Sequence, residues 1–429
     1  MGRLRVGFSR VDITPPVGTP MGGFAARYLP SQGVHDPLYA RGLVATDGEE
    51  TVGLLSVDIL TLPAGLVEAV RRLTEASTGI PGVNVMLAAT HTHSGPETIG
   101  LTAPTSSRAV APYLRLLERD LAGALYMAWR RMSDAQVGVG SGSAKVGVNR
   151  RRANGVTDPE VAVVRFDNPG SRSIGALVNY ACHPVVLGAG NAEFSADYPG
   201  QVCKVLDDAK GPGFTAFFLN GACGDINPVS SRGYACPGGF DDVERIGSIL
   251  AWEALKVLEE TGTSQEAEVR AASEVLRLPS RKPSPLEAER QVQMQRRRIE
   301  ELKAKNTEEN QLLAELAILK YYCKNLEEAQ KPGGEETQAL EVQAIRIGDA
   351  VLVGIPGEAF AEIGLQIKSG SDRRGVLVVG YANGFVGYIP TEEALREGGY
   401  EVTPTWWNKV NPQAGRLIKE TAVRLLSQL

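Results

Sequence analysis

The amino-acid sequence predicts an α/β fold, on three observations. From Val6 to Glu260, apolar runs of strand length alternate with stretches of helical spacing, and the alternation resumes after residue 340. Several strand-like runs end in Gly or Pro just past a His, Asp or Asn, so polar side chains gather at strand ends. Hydrophobic residues make up 43% of the chain and charged residues 22%, an ordinary balance for a packed globular protein.

Taken in order, residues 5–16 alternate apolar and polar side chains and end in a double proline, a strand entering a loop. Strands over 41–46 and 52–58 flank the turn signal Asp47-Gly48, and Asp58 reads either as a carboxylate behind the site or as a loop cap. A helix over 66–76 and a strand over 83–89 follow. Leu114, Leu117, Leu121 and Leu125 then give one face of a helix over 109–132. A Gly-rich strand over 137–148 reaches Asn149-Arg150, and strands over 161–166 and 174–180 deliver Cys182-His183-Pro184. Past the loop holding Asp197, the strand over 215–220 runs into Gly221-Ala222-Cys223-Gly224-Asp225-Ile226-Asn227-Pro228, and 241–260 is helical. Strands over 340–347 and 350–355 lead to Pro356-Gly357-Glu358, and the strand over 375–380 leads to Tyr381 and on to Tyr388. Trp406-Trp407 precedes a closing helix over 412–426.

Length alone would allow two or three domains; the reading is one α/β domain over 1–429 with a helical hairpin inserted at 283–330. There Glu, Lys, Arg, Gln and Leu dominate and glycine is absent, giving helices over 285–305 and 307–329 closed by Lys331-Pro332-Gly333-Gly334. The hairpin's charges read as a solvated face, a lid, or a homo-oligomer contact.

A net charge of −5 argues against a nucleic-acid partner. No stretch has the length and apolarity of a signal peptide or a transmembrane segment, so the expectation is a cytoplasmic protein. The five cysteines, an odd number without metal spacing, read as free thiols with packing roles.

Only four histidines occur, and two share the tripeptide His91-Thr92-His93 before Ser94-Gly95-Pro96. In a strand the two would share a face, one on a metal and the other toward a substrate. A polar strand end with satisfied hydrogen bonds has the same spacing.

In combination these motifs resemble something specific. The order Val11-Asp12-Ile13-Thr14, Thr90 through Pro96, Asn149-Arg150, His183-Pro184, Gly224 through Pro228, Pro356-Gly357-Glu358 and Tyr381 through Tyr388 is similar to the catalytic domain of the neutral/alkaline non-lysosomal ceramidases. The resemblance runs from Val6 to about Tyr400 and lacks the family's C-terminal β-sandwich domain. It implies a mixed-sheet α/β catalytic domain and one zinc ion (Zn2+) held by His91, His183, Glu358 and Tyr388. It also implies His93, Arg150 and Tyr400 beside the reacting carbonyl; Asp197, Asp225 and Asn227 are expected, as in metal sites generally, to orient the ligands. Two departures stand out: Glu401-Val402-Thr403 replaces the family's Glu-Gly-Gly, and the hairpin has no counterpart there.

Two imidazoles, a carboxylate and a phenolate form a nitrogen and oxygen shell suited to zinc. The resulting expectation is a zinc-dependent amidohydrolase acting on the linear C–N bond of a small or lipid-like N-acyl substrate, ceramide-like or smaller, through a metal-activated water. The alternatives are a zinc esterase or lactonase, and a non-catalytic metal-binding protein.

Overall fold

The computed structural model describes residues 3–233, 237–332, 336–373 and 375–429. Among them the long strands form three sheets. The first runs Val85–Ala89, Thr51–Val57, Tyr39–Thr46, Arg5–Asp12, Ser133–Asp134 in spatial order; the second runs Thr215–Asn220, Ser173–Tyr180, Glu160–Asp167, Gln136–Ser143. The third runs Val269–Pro279, Thr337–Ile347, Ala350–Gly354, Val376–Val379. Each sheet is antiparallel apart from one parallel pair: Thr51–Val57 with Val85–Ala89, Ser173–Tyr180 with Thr215–Asn220, and Ala350–Gly354 with Val376–Val379. A parallel pair needs a crossover, and in all three sheets a helix supplies it: Ala64–Thr78, Asp197–Lys210 and Ala361–Ser369.

Side-chain alternation explains the layering. Leu54, Met86, Leu177, Phe217, Leu352 and Leu377 meet in one central core shared by the three sheets. Their chain neighbours Leu55, Leu87, Val178 and Phe218 face helices instead, as do Val353 and Val378 on the third sheet. Strands buried on both faces read as continuous apolar runs, which is why the sequence showed them clearly. The helices Ala111–Arg130 and Phe240–Glu260 cover the outside with the stripe that Leu117, Leu121 and Leu125 began.

The carboxyl ends of the parallel strands are tied together. Ala88 bridges Ala382, the Gly380 N–H donates to the Asn220 carbonyl at 2.9 Å, and Asn220 Nδ2 donates to the Thr90 carbonyl at 3.2 Å. Loops leaving these ends therefore share one volume, the usual place for a site in an α/β protein.

The strand Val269–Pro279 carries no element in the sequence reading. It pairs with Thr337–Ile347 over its full length, and beyond the Pro279 end of that ladder stand the helices Pro285–Ala304 and Glu309–Gln330. Its partner lies across the helical segment in sequence, so no local turn marks it. Gly333 and Gly334, expected to close the hairpin, and Cys236 lie outside the described residues; Cys182, Cys203, Cys223 and Cys323 are free thiols. No helix among the described residues is long and apolar enough to cross a membrane.

Candidate metal centre

The loops after the parallel strands bring His91, His93, His183 and Glu358 together. One ligand atom from each of the three histidines lies within 4.8 Å of the others, and Glu358 Oε2 is 2.8 Å from His183 Nε2 and 3.6 Å from His91 Nε2. All four come from ends of the parallel ladders, two through the His91-Thr92-His93 turn.

The geometry corrects the shared-strand-face argument for the tripeptide. The strand ends at Ala89, and His91 adopts the left-handed conformation with φ +68°. That kink, which costs a non-glycine residue on the order of 1 kcal/mol, converges His91 Nε2 and His93 Nε2 to 3.2 Å. Tyr381 at φ +55° and Asn383 at φ +56° are twisted in the same way beside it.

Backbone carbonyls set the tautomers. His91 Nδ1 faces the Leu60 carbonyl at 2.7 Å and His183 Nδ1 faces the Cys223 carbonyl at 2.6 Å; a carbonyl only accepts, so each Nδ1 carries the proton. In the neutral imidazoles both Nε2 lone pairs then point inward, at Glu358 and at each other. Burial, followed by Arg150, lowers His183 to about 4, so a second proton on that ring is disfavoured. Lone pairs facing lone pairs across a buried gap of 2.8 to 3.6 Å are a donor set that fits a cation at its centre. His93 is held well below the imidazole range, first by burial and then by His91 and His183, and its buried Nδ1 has no hydrogen-bond partner.

Tyr388 stands next to Glu358 through the parallel register Glu358↔Tyr388. Its hydroxyl accepts from Arg150 Nη2 at 3.0 Å, and burial pushes the phenol well up while Arg150 opposes. Arg150 is fixed from three further sides: Nε donates to Glu401 Oε1 at 2.9 Å, Nη1 to Asn227 Oδ1 at 3.1 Å and Nη2 to the Gly224 carbonyl at 2.8 Å. Tyr400 is 60% exposed, and its ring lies 5.7 Å from that of Tyr388.

The residues expected to orient the ligands have other partners. Asp225 accepts from Asn149 Nδ2 at 2.7 Å and the Ala361 N–H at 2.9 Å, supporting the segment that carries Arg150. Asp58 pairs with buried Arg41 at 3.0 Å, and Asp197 accepts from the Leu187 and Tyr198 N–H groups.

Residues 4–105 match the family model described as neutral/alkaline non-lysosomal ceramidase, N-terminal. The neutral ceramidase of Pseudomonas aeruginosa is 25% identical over 503 aligned positions, covering 99% of this chain and 72% of that protein. The neutral ceramidase of Mycobacterium tuberculosis is 39% identical over 70 residues, covering 15% of this chain and 11% of that protein. This chain is similar to the neutral ceramidases along its whole length. Solved structures share its fold: a ceramidase complexed with C2, at TM-score 0.77 and 18% identity, covers all of this chain and 76% of its own. The Pseudomonas aeruginosa neutral ceramidase structure gives 0.76 and 20%, with 75% of its own chain covered.

Several residues that shape the site were given no role by the sequence. Tyr381 stacks on His91 with ring centres 3.9 Å apart and holds Cys223 Sγ at 3.2 Å through its hydroxyl. Buried Arg27 donates to the His93 carbonyl at 2.7 Å and clamps the tripeptide from behind. Glu401 joins Arg150 to Arg151, its other oxygen accepting from Arg151 Nη1 at 2.5 Å. The available hints were an aromatic that opens the Tyr381 through Tyr388 segment and a Glu where the resemblance departs from the family pattern.

Proposed function

We propose that the chain is a zinc-dependent hydrolase that cleaves the amide bond of an N-acyl substrate, with 1–429 acting as one catalytic domain. The observation that carries this reading is the buried cluster of inward-facing lone pairs from His91, His183 and Glu358 beside a fixed guanidinium and two tyrosines. The ceramidase relatives support an amide as the bond and a ceramide-like or smaller molecule as the substrate.

His91, His183, Glu358 and Tyr388 would hold the ion. When bound, zinc supplies Lewis acidity, polarising a carbonyl oxygen and acidifying water. The protein's own residues do the rest. A cavity of about 400 Å³ opens beside the cluster, lined by His93, Arg150, Asn227, Tyr388 and Tyr400. Arg150, immobilised by Glu401, Asn227 and Gly224, is placed to neutralise charge developing on the carbonyl oxygen. His93 is kept neutral and is placed to exchange a proton at Nε2. Tyr400, at the cavity wall, is placed to hand a proton to the leaving nitrogen. The free thiols accord with a reducing compartment, and we place the protein in the cytoplasm, to be checked by cell fractionation.

The test is elemental analysis of the wild type and His183→Ala, with a fluorogenic N-acyl panel and matched esters run on the same samples. Stoichiometric zinc and amine release, both lost in the variant, establish the reading. Alcohol release from esters with no amine from amides moves the assignment to an esterase or lactonase. Zinc without any turnover moves it to a metal-binding protein, and absence of metal after reconstitution refutes it.

A further inference from the structure

The helix Glu309–Gln330 closes one side of the site. Its inward stripe is Tyr321, Asn325, Glu328 and Ala329, spaced as one face of a helix. That face is tied to the body at several points. Asn325 Oδ1 accepts from the Trp406 N–H at 3.0 Å, Glu328 pairs with Lys409, and Lys324 stands 4.7 Å over the Trp406 ring. Lys320 Nζ donates to the Thr102 carbonyl at 3.1 Å and Lys324 to that of Gly100. Those carbonyls belong to a loop that buried Glu97 organises by accepting from the N–H groups of Ile99, Gly100 and Thr102.

Between this loop, the helix and the metal cluster lies a small cavity of about 50 Å³, with His91, His93 and Glu358 on one side. Its remaining walls include Leu60, Ile99, Leu101, Tyr321, Phe385 and Trp407, with no charged group among them. A cavity of roughly 150 Å³ holds a benzene molecule, so 50 Å³ holds about two carbons. Behind it, between both hairpin helices and the 400–405 segment, is a second cavity of about 320 Å³. Tyr321 and Tyr400 line both, so they are the partition.

We infer that the helical hairpin makes this site selective for short acyl groups, acetyl to propionyl, by walling the acyl pocket with Tyr321. The amine portion lies in the 400 Å³ cavity, where Arg150, Asn227 and Ser230 supply polar walls. The inference rests on the amide-hydrolase reading for its chemistry and on the cavity for its size limit.

Two measurements test it. The first is kcat/KM for one fluorogenic amine acylated with acetyl, propionyl, butanoyl, hexanoyl and octanoyl, on wild type, Tyr321→Phe, Tyr321→Ala and Leu101→Ala, with folding confirmed by circular dichroism. Wild type and Tyr321→Phe should favour acetyl or propionyl over octanoyl at least tenfold. Tyr321→Ala, which merges the two cavities, should raise octanoyl at least tenfold relative to acetyl. Leu101→Ala enlarges the same pocket from the side of the 97–102 loop and should raise butanoyl two- to threefold; this keeps the claim open to refutation if Tyr321→Ala does not fold. The second is calorimetric binding of acetate through octanoate to the metal-free protein. Preference for the short acids in wild type, lost in the Tyr321→Ala or Leu101→Ala variant, supports the pocket even if no amide is cleaved, in which case the amide reading alone falls. Equal or better cleavage of octanoyl by wild type, unchanged profiles in folded variants, or binding without a short-chain preference overturns the inference.

Discussion

Glu401→Gln separates support of Arg150 from metal binding. Glu401 is 7% exposed and gives one carboxylate oxygen to Arg150 Nε at 2.9 Å and the other to Arg151 Nη1 at 2.5 Å. Burial would raise this carboxyl, but Arg150 and Arg151 together hold it below its ordinary range. The amide keeps an acceptor for Arg150 and turns an N–H toward Arg151, so two largely buried guanidinium groups lose their shared anion. Breaking one side of a buried pair costs roughly 3–5 kcal/mol; partial exposure of both arginines, 18% and 12%, brings the expectation to about 3 kcal/mol. A chain of 429 residues unfolds with an entropy of about 0.9 kcal/mol/K, so Tm should fall about 3 °C. Arg150 keeps that hydrogen bond but loses the charge that holds it in place, and a misplacement of about 1 Å at the reacting carbonyl lowers kcat/KM by on the order of 100-fold. Because Glu401 has no contact with the imidazoles, bound zinc should stay at wild-type stoichiometry. Differential scanning calorimetry, elemental analysis and amide hydrolysis on one preparation decide the matter. Loss of zinc, or a variant matching wild type in both Tm and kcat/KM, would refute the assigned role.

Three other outcomes follow from single contacts. In Gly224→Ala the new Cβ would lie 2.3 Å from the Glu358 carbonyl oxygen, so the Glu358 backbone must shift and zinc affinity, measured by competition with a chelator, should fall at least tenfold. His93→Ala should keep its zinc and lose on the order of 100-fold in kcat; parallel loss of zinc would make His93 a ligand rather than a proton-transfer group. Burial raises Asp197 to about 7, whereas an unfolded Asp titrates near 4. The folded state thus retains a proton that the unfolded state has lost, and Asp197 lowers stability as pH rises from about 4 to about 7, with no further change above. At about 1.4 kcal/mol per unit this amounts to about 4 kcal/mol. Asp197→Asn, whose side chain tolerates the φ of +56°, should remove that slope in denaturant titrations; identical pH profiles would disprove it.

What the sequence determined by itself was governed by local rules. Alternation of apolar runs and helical spacing located the helices Ala64–Thr78, Ala111–Arg130 and Glu309–Gln330 to within two residues, because each buries a stripe that recurs with the helical period. Gly-Pro and His-Pro steps marked where strands end, so His91, His93, His183 and Glu358 were legible as residues at strand ends. The strand Val269–Pro279 was not legible, because it alternates between half-buried and exposed side chains and its partner lies beyond the inserted helices. Nor were the roles of Tyr381, Arg27 and Glu401, each of which acts through a residue distant in sequence: Tyr381 on His91, Arg27 on the His93 carbonyl, Glu401 on Arg150. Only the tertiary structure decided that the imidazoles converge through a left-handed turn rather than along a strand face, and that Tyr321 divides one cavity from another. The division has a physical basis: periodicity and turn chemistry are written in neighbouring residues, while the direction of a lone pair and the size of a cavity depend on segments that meet only when the three sheets pack.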